Sequence, residues 1–177
     1  MPTVFTHAVV PLAAGIALGA GVIDRRLLLA GMVAAVLPEA DVVAFKFGIA
    51  YADALGHRGA SHSFAFAAML GLVGALLHRP LRSAPWKAAA WCFACALSHP
   101  LLDALTNGGL GVALWWPWSD ARVFAPWRPI PVSPAGTGSF SAPRLQVIAS
   151  EMRWVWLPCA LVAATVLALR RAVFSRP

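Results

Sequence analysis

Charge is scarce in this chain. Only 12% of the 177 residues are charged, and seven are acidic, whereas a soluble domain carries about 25%. With 60% hydrophobic residues and a mean hydropathy of +0.73, the composition excludes an ordinary soluble domain and indicates an integral membrane protein. Cysteine is also sparse. Cys92, Cys95 and Cys159 are odd in number and lie in apolar stretches, which argues against a disulfide framework. The Cys92–Cys95 spacing reads as two small buried residues in mid-helix rather than a redox pair. Residues 1–5 hold no Lys or Arg, so the positive start of a signal peptide is missing. No G-x-S-x-G, Walker A or H-E-x-x-H pattern occurs, which leaves serine hydrolase, NTPase and zincin readings without support. The net charge of +7 does not point to nucleic acid, because the basic residues flank apolar runs as they do beside membrane spans.

What is present is a series of apolar runs. They predict an all-α fold: a polytopic membrane helix bundle of about five spans, one short or broken, in a single domain over residues 1–177. Span one covers about Thr6 to Ile23, and Gly15, Gly19 and Gly21 would let another helix approach closely. Asp24 beside Arg25 and Arg26 reads as a solvated loop charge. The second run, Leu27 to Leu37, rises only about 16 Å as a helix, short of the ~30 Å hydrocarbon core. Either a helix continues past Pro38, or LPEAD (37–41) lies at membrane depth shielded by protein. Ser61 is a candidate N-cap for span three, Ser61 to Leu77. Span four runs from Trp86 to about Leu105, and span five from Trp154 to Leu169. Between them lies a long connection, 106–150, with Trp115, Trp116, Trp118 and Trp127. The tryptophans predict an ordered part at the membrane interface, whereas residues 133–143 look flexible.

The polar residues gather in few places. His7 opens span one, and Glu39 and Asp41 follow span two. His57, Arg58 and His62 precede or begin span three, and His99 and Asp103 end span four. Alternate crossings bring all of them to one side. Residues that merely pair helices have no reason to share a level; a metal site requires it. His99 and Asp103, at i and i+4, lie one turn apart on one helix face. His57 and His62 are five apart, about 140° around a helix, so His57 is the better loop ligand of the two and one of them could support the other. Imidazole and carboxylate are the ligands of zinc-type sites. The candidate ligands are therefore His7, Asp41, His57, His62, His99 and Asp103. The cofactor is one or two divalent ions, zinc first and manganese second, with Asp41 or Asp103 able to bridge a pair. Arg58 would stabilise anionic charge, and Glu39 is the candidate proton acceptor.

These motifs have a relative. TH (6–7), LPEAD (37–41), HRGASHS (57–63) and SHPLLDALTNGG (98–109) followed by WWP (115–117) resemble the YdjM-type family. These are small bacterial and archaeal inner-membrane proteins described as LexA-regulated, metal-dependent hydrolases. The family pattern reads LPD-x-D where this chain has Glu39, so the resemblance carries ligand status to Asp41 alone. The hydrolase label implies a reaction class and names no substrate. The order His, Asp, His, then H-x-x-x-D is also similar to that of zinc-dependent phospholipase C and P1-type nucleases, an analogy that suggests a phosphoester.

The expected function is thus metal-dependent hydrolysis at the membrane surface, on a phospholipid, a lipid-linked phosphoester or another small molecule. The alternative is a non-catalytic membrane protein that binds or transports a metal. A transporter places ionisable groups along a path through the bilayer, and the middles of spans one, three and five carry none. A third class is a structural protein whose polar residues pair helices. Eight basic residues (Arg25, Arg26, Arg79, Arg82, Lys87, Arg170, Arg171 and Arg176) would share the side opposite the cluster. The positive-inside rule makes that side cytoplasmic and the site external, on the outer face of the inner membrane.

Overall fold

A computed structural model of the chain describes residues 2–132 and 142–174. Helix α1 spans Val4–Leu18, α2 Arg25–Val36, α3 Phe64–Leu76, α4 Pro85–Ala104, α5 Ala142–Glu151 and α6 Leu157–Phe174. A 3-10 helix, Leu37–Phe47, follows α2 directly, and a π-helical turn, Met152–Trp156, joins α5 to α6 without a break. Among the described residues there is no strand, only two isolated bridges, Thr106–Ile130 and Val112–Val123.

The starts and turns follow local chemistry. Asp24 is the N-cap of α2 rather than a free loop charge: its carboxylate accepts the Arg26 backbone N–H at 2.8 Å. At Pro38 the chain stays helical but tightens to 3-10 geometry, ending at Gly48 with φ 74°, a left-handed position suited to glycine. The N-cap of α3 is Ser63, whose hydroxyl accepts the Phe66 N–H, not Ser61. Ser61 sits in a short 3-10 turn, Ala60–His62, and gives its hydroxyl to Asp41. Span five likewise starts earlier than expected, because α5 opens at Ala142. Of residues 133–143, all but the last two lie outside the described residues.

Small side chains hold the bundle together. Ala34, Ala35, Ala67, Ala88, Ala96, Cys92 and Cys95 are buried with Leu27. A Cβ on Gly74 of α3 would stand 2.8 Å from the Ala88 carbonyl of α4, so the two backbones meet where a side chain would not fit. Gly15 packs on Leu28, whereas Gly21 faces open space and plays no part in packing. The large apolar residues point outward: Leu29, Val33, Leu72, Leu76, Leu161 and Val162 are all exposed. Small inside and large apolar outside is the pattern of a surface solvated by lipid.

Two helical stretches, Arg25–Phe47 and Arg144–Val173, are long and apolar enough to cross a membrane. Helices α1 and α3, with 15 and 13 residues, are each only about 20 Å long. Each falls short of a full span. The turns after α1 and α3 meet at one end of the bundle, where Arg26 donates to the Pro80 carbonyl and Arg170 to that of Ala17. Residues 106–132 fold back over the other, irregular end. Ala113 N–H donates to the Arg58 carbonyl, Phe64 N–H to that of Leu114, and Ala125 N–H to that of Ala104. Trp115 meets Phe64 at a tilt, and Trp127 meets Trp154 edge-on.

Candidate metal centre

Four segments converge at that end: the first turns of α1, the 3-10 helix after α2, the loop before α3 and the last turns of α4. Each position has a local cause. Pro38 sets the tight helix that turns Glu39 inward. Arg58 holds φ 62°, an unfavourable conformation for a residue with a Cβ, in the loop between His57 and His62. The helical register of α4 then puts His99 and Asp103 on one face.

The geometry begins with the histidine protons. Nδ1 of His99 lies 2.7 Å from the Ala35 carbonyl oxygen. A carbonyl only accepts, so Nδ1 carries the proton and Nε2 keeps a bare lone pair. Nδ1 of His62 lies 3.2 Å from Asp41 Oδ2 and 3.0 Å from the Ser61 hydroxyl. That hydroxyl gives its own proton to Asp41 Oδ2 at 2.6 Å, so His62 Nδ1 is also the donor and its Nε2 is bare. The two Nε2 atoms face each other 2.9 Å apart. Two imidazole lone pairs meeting this way need a cation, either a proton or a metal ion, at the meeting point. Electrostatics favour one: burial alone would lower the His62 pKa, but the Asp103 and Asp41 carboxylates outweigh it and hold that pKa above 6.5.

Asp103 Oδ2 stands 3.2 Å from His62 Nε2, 3.9 Å from His99 Nε2 and 3.1 Å from Arg58 Nε. His7 Nε2 lies 3.5 Å from Glu39 Oε1 and 3.8 Å from Asp103 Oδ1. One ligand atom from each of His7, His99 and Asp103 falls within 4.8 Å of the others, so that donors of metal-ligating type crowd one place. Both ring nitrogens of His7, both oxygens of Glu39 and of Asp103, and Nε and Nη2 of Arg58 are buried without a well-aligned hydrogen-bond partner. So many orphaned polar atoms in one place are costly, and a metal ion is the partner that this donor set fits.

Asp41 faces the outer side of the same rings. Its oxygens take His57 Nδ1 at 2.6 Å, the Arg58 backbone N–H at 3.1 Å, the Ser61 hydroxyl and His62 Nδ1. Three further residues, to which sequence reasoning gave no part in the centre, support it. Ser61 ties Asp41 to His62. Arg122 donates to the backbone carbonyls of His57, Tyr51 and Asp53, and so pins the loop before α3. Tyr51 meets His57 edge-on, and the partial burial of this side chain raises the pKa of its hydroxyl. Of these, Arg122 left a trace in the sequence, as one of two cations, with Arg128, in a Trp-rich stretch. His78, by contrast, sits half-buried away from the centre and bonds the Ser83 carbonyl.

The profile of the family described as YdjM inner membrane protein matches residues 1–173. Inner membrane protein YbcI of Escherichia coli strain K12 is 49% identical over 165 residues, which is 89% of this chain and 92% of that protein. No solved structure matches the chain.

Proposed function

The chain belongs to the YdjM family of inner membrane proteins, and on that footing we propose that it is a multi-pass, metal-dependent hydrolase. Its substrate in this reading is a phospholipid or a lipid-linked phosphoester, met at the outer face of the membrane. The observation that carries the proposal is the pair of bare Nε2 atoms of His62 and His99, set beside the Asp103 carboxylate. Each ring is fixed by an acceptor on its far nitrogen, the arrangement by which proteins orient metal-ligating histidines. A divalent ion bound there supplies Lewis acidity next to the substrate.

The protein's own groups do the rest. Asp41 orients His57 and His62 from behind and sets which nitrogen each offers. Arg58 lies against Asp103 with Nη2 unpaired, so its guanidinium has a donor left for an anionic oxygen. A cavity of about 360 Å³ borders Asp41 and Ser61 and is otherwise lined by apolar groups, among them Leu55, Phe66, Met69 and Trp116. Its lining suits part of an acyl chain, which supports a lipid substrate.

One observation favours the non-catalytic reading, a protein that holds or passes a metal. His7, His62, His99 and Asp103 are all fully buried. The two readings separate on metal analysis of the purified protein combined with a phosphoester substrate screen. The hydrolase reading expects zinc, manganese or a similar ion, lost for the most part in His99→Ala and Asp103→Ala, together with turnover that follows metal content. Metal-loaded protein that hydrolyses nothing but carries the ion into liposomes would favour transport. Wild type that remains metal-free under non-chelating conditions would end both.

A further inference from the structure

The donor atoms at this end of the bundle fall into two sets rather than one. An imidazole nitrogen offers its lone pair in the plane of its ring. The His7 and His99 rings are stacked, with centroids 3.7 Å apart and planes inclined by 18°. Planes so nearly parallel meet only on the order of 10 Å away, far beyond the ~2.1 Å reach of a metal–nitrogen bond. An ion in line with His99 is therefore out of line with His7, and the two histidines serve different positions.

Asp103 divides in the same way. Oδ2 is the oxygen that faces His62 and His99, and Oδ1 is the one that faces His7. Glu39 Oε1 completes the His7 side at 3.5 Å. On that side every donor is unpaired: both His7 nitrogens, both Glu39 oxygens and Asp103 Oδ1 lack a hydrogen-bond partner, and His7 is fully buried. We propose that Asp103 bridges two divalent cations, one held with His62 and His99 and the other with His7 and Glu39. The proposal rests on the metal-centre reading above and gives Glu39 the place of a ligand.

The charge count is compatible with a phosphoester site. Glu39, Asp41 and Asp103 set three negative charges against one from Arg58 within a buried cluster. One divalent ion neutralises the set, and a second leaves an excess of two positive charges. Buried charge of that size calls for anionic partners, and a phosphodiester together with a hydroxide would supply them.

Metal stoichiometry tests the proposal directly. Full-length protein in detergent, stripped and reloaded with Mn²⁺, is expected to hold two ions per chain. Its electron paramagnetic resonance spectrum should show the broadened signal of a spin-coupled pair. Glu39→Gln should hold one ion and show the six-line signal of isolated Mn²⁺. One ion per wild-type chain, or a second ion that Glu39→Gln leaves in place, overturns the bridged pair while the single-metal centre stands. No bound ion overturns both readings. Should Glu39→Gln fail to fold, the wild-type stoichiometry and coupling decide the question alone.

Discussion

Asp41 gathers four donors on two oxygens, and the identity of those oxygens matters more than their charge. In Asp41→Asn one oxygen becomes an NH₂ group, which turns a donor toward an imidazole Nδ1–H or toward the Ser61 hydroxyl. One histidine must then change tautomer or rotate away, with its Nε2 no longer aimed at Asp103. Changes to residues that orient metal ligands cost about 10–100-fold in affinity, and Asp41→Asn is expected to show a loss of that size in competition titration with a metal chelator. An unchanged affinity would mean that the rings are set by packing alone. Arg58→Lys tests a different property. Lysine keeps the charge but loses the planar fork, so turnover on a confirmed substrate should fall while metal content stays near that of wild type. If turnover survives Arg58→Ala, the guanidinium serves packing against Asp103 and the Gly108 carbonyl. At this scale the sequence was readable where chemistry is local: His99 and Asp103 declare themselves by spacing on one helix. It marked Asp41 as a candidate ligand but not as the group that orients the rings, because which nitrogen of His57 or His62 meets that carboxylate depends on a loop 16 to 20 residues away.

At the scale of the element, α1 is held in place by another helix. The first N–H groups of any helix lack intrahelical partners. Here Glu151, fully buried at the end of α5, accepts the Thr3 N–H and the Thr3 hydroxyl at 2.6 Å each and the Thr6 hydroxyl at 2.5 Å. Trp156, across the π-helical turn, donates to the same Thr6 hydroxyl at 2.7 Å. Glu151→Ala leaves these donors without an acceptor, at about 1–3 kcal/mol for a buried unsatisfied group. A lowered midpoint of thermal unfolding in detergent is expected, with Glu151→Gln milder because one acceptor oxygen remains. A midpoint equal to that of wild type would show that α1 is held by packing on α2 and α6. This clamp was not legible in the sequence. Its partners are up to 148 residues apart, and Glu151 with Arg153 interrupts the apolar run, so the span reads as starting at Trp154 while the helix itself runs through. Helix existence, by contrast, was largely legible, because the long apolar runs of the sequence coincide with α1, α2, α3, α4 and α6.

At the scale of the whole molecule the two ends of the bundle differ in kind. One carries the histidines and carboxylates; the other carries Arg26 bonded to the turn after α3 and Arg170 bonded to the end of α1. This segregation supports an inside-positive orientation. Reporter fusions at residues 82, 135 and 177 are expected to read cytoplasmic, external and cytoplasmic. A cytoplasmic reading at 135 would place the centre at the inner face and exchange an outer-leaflet substrate for a cytosolic one. The shared level of the polar residues was legible because alternating crossings reduce it to counting. How they meet was not, since no single helix holds more than the pair on α4. That dispersal has a consequence for biogenesis. His7 leaves the ribosome first and Asp103 almost a hundred residues later, with the whole of α2 and α3 inserted in between. A chain stalled before α4 lacks both His99 and Asp103, so a metal centre built on that pair would be completed only after membrane insertion of α2 and α3. If the fusions place the centre on the outer face, its ion would be drawn from outside the cytosolic metal pool, and cytosolic scarcity or excess of that metal would leave the occupancy of the mature protein untouched.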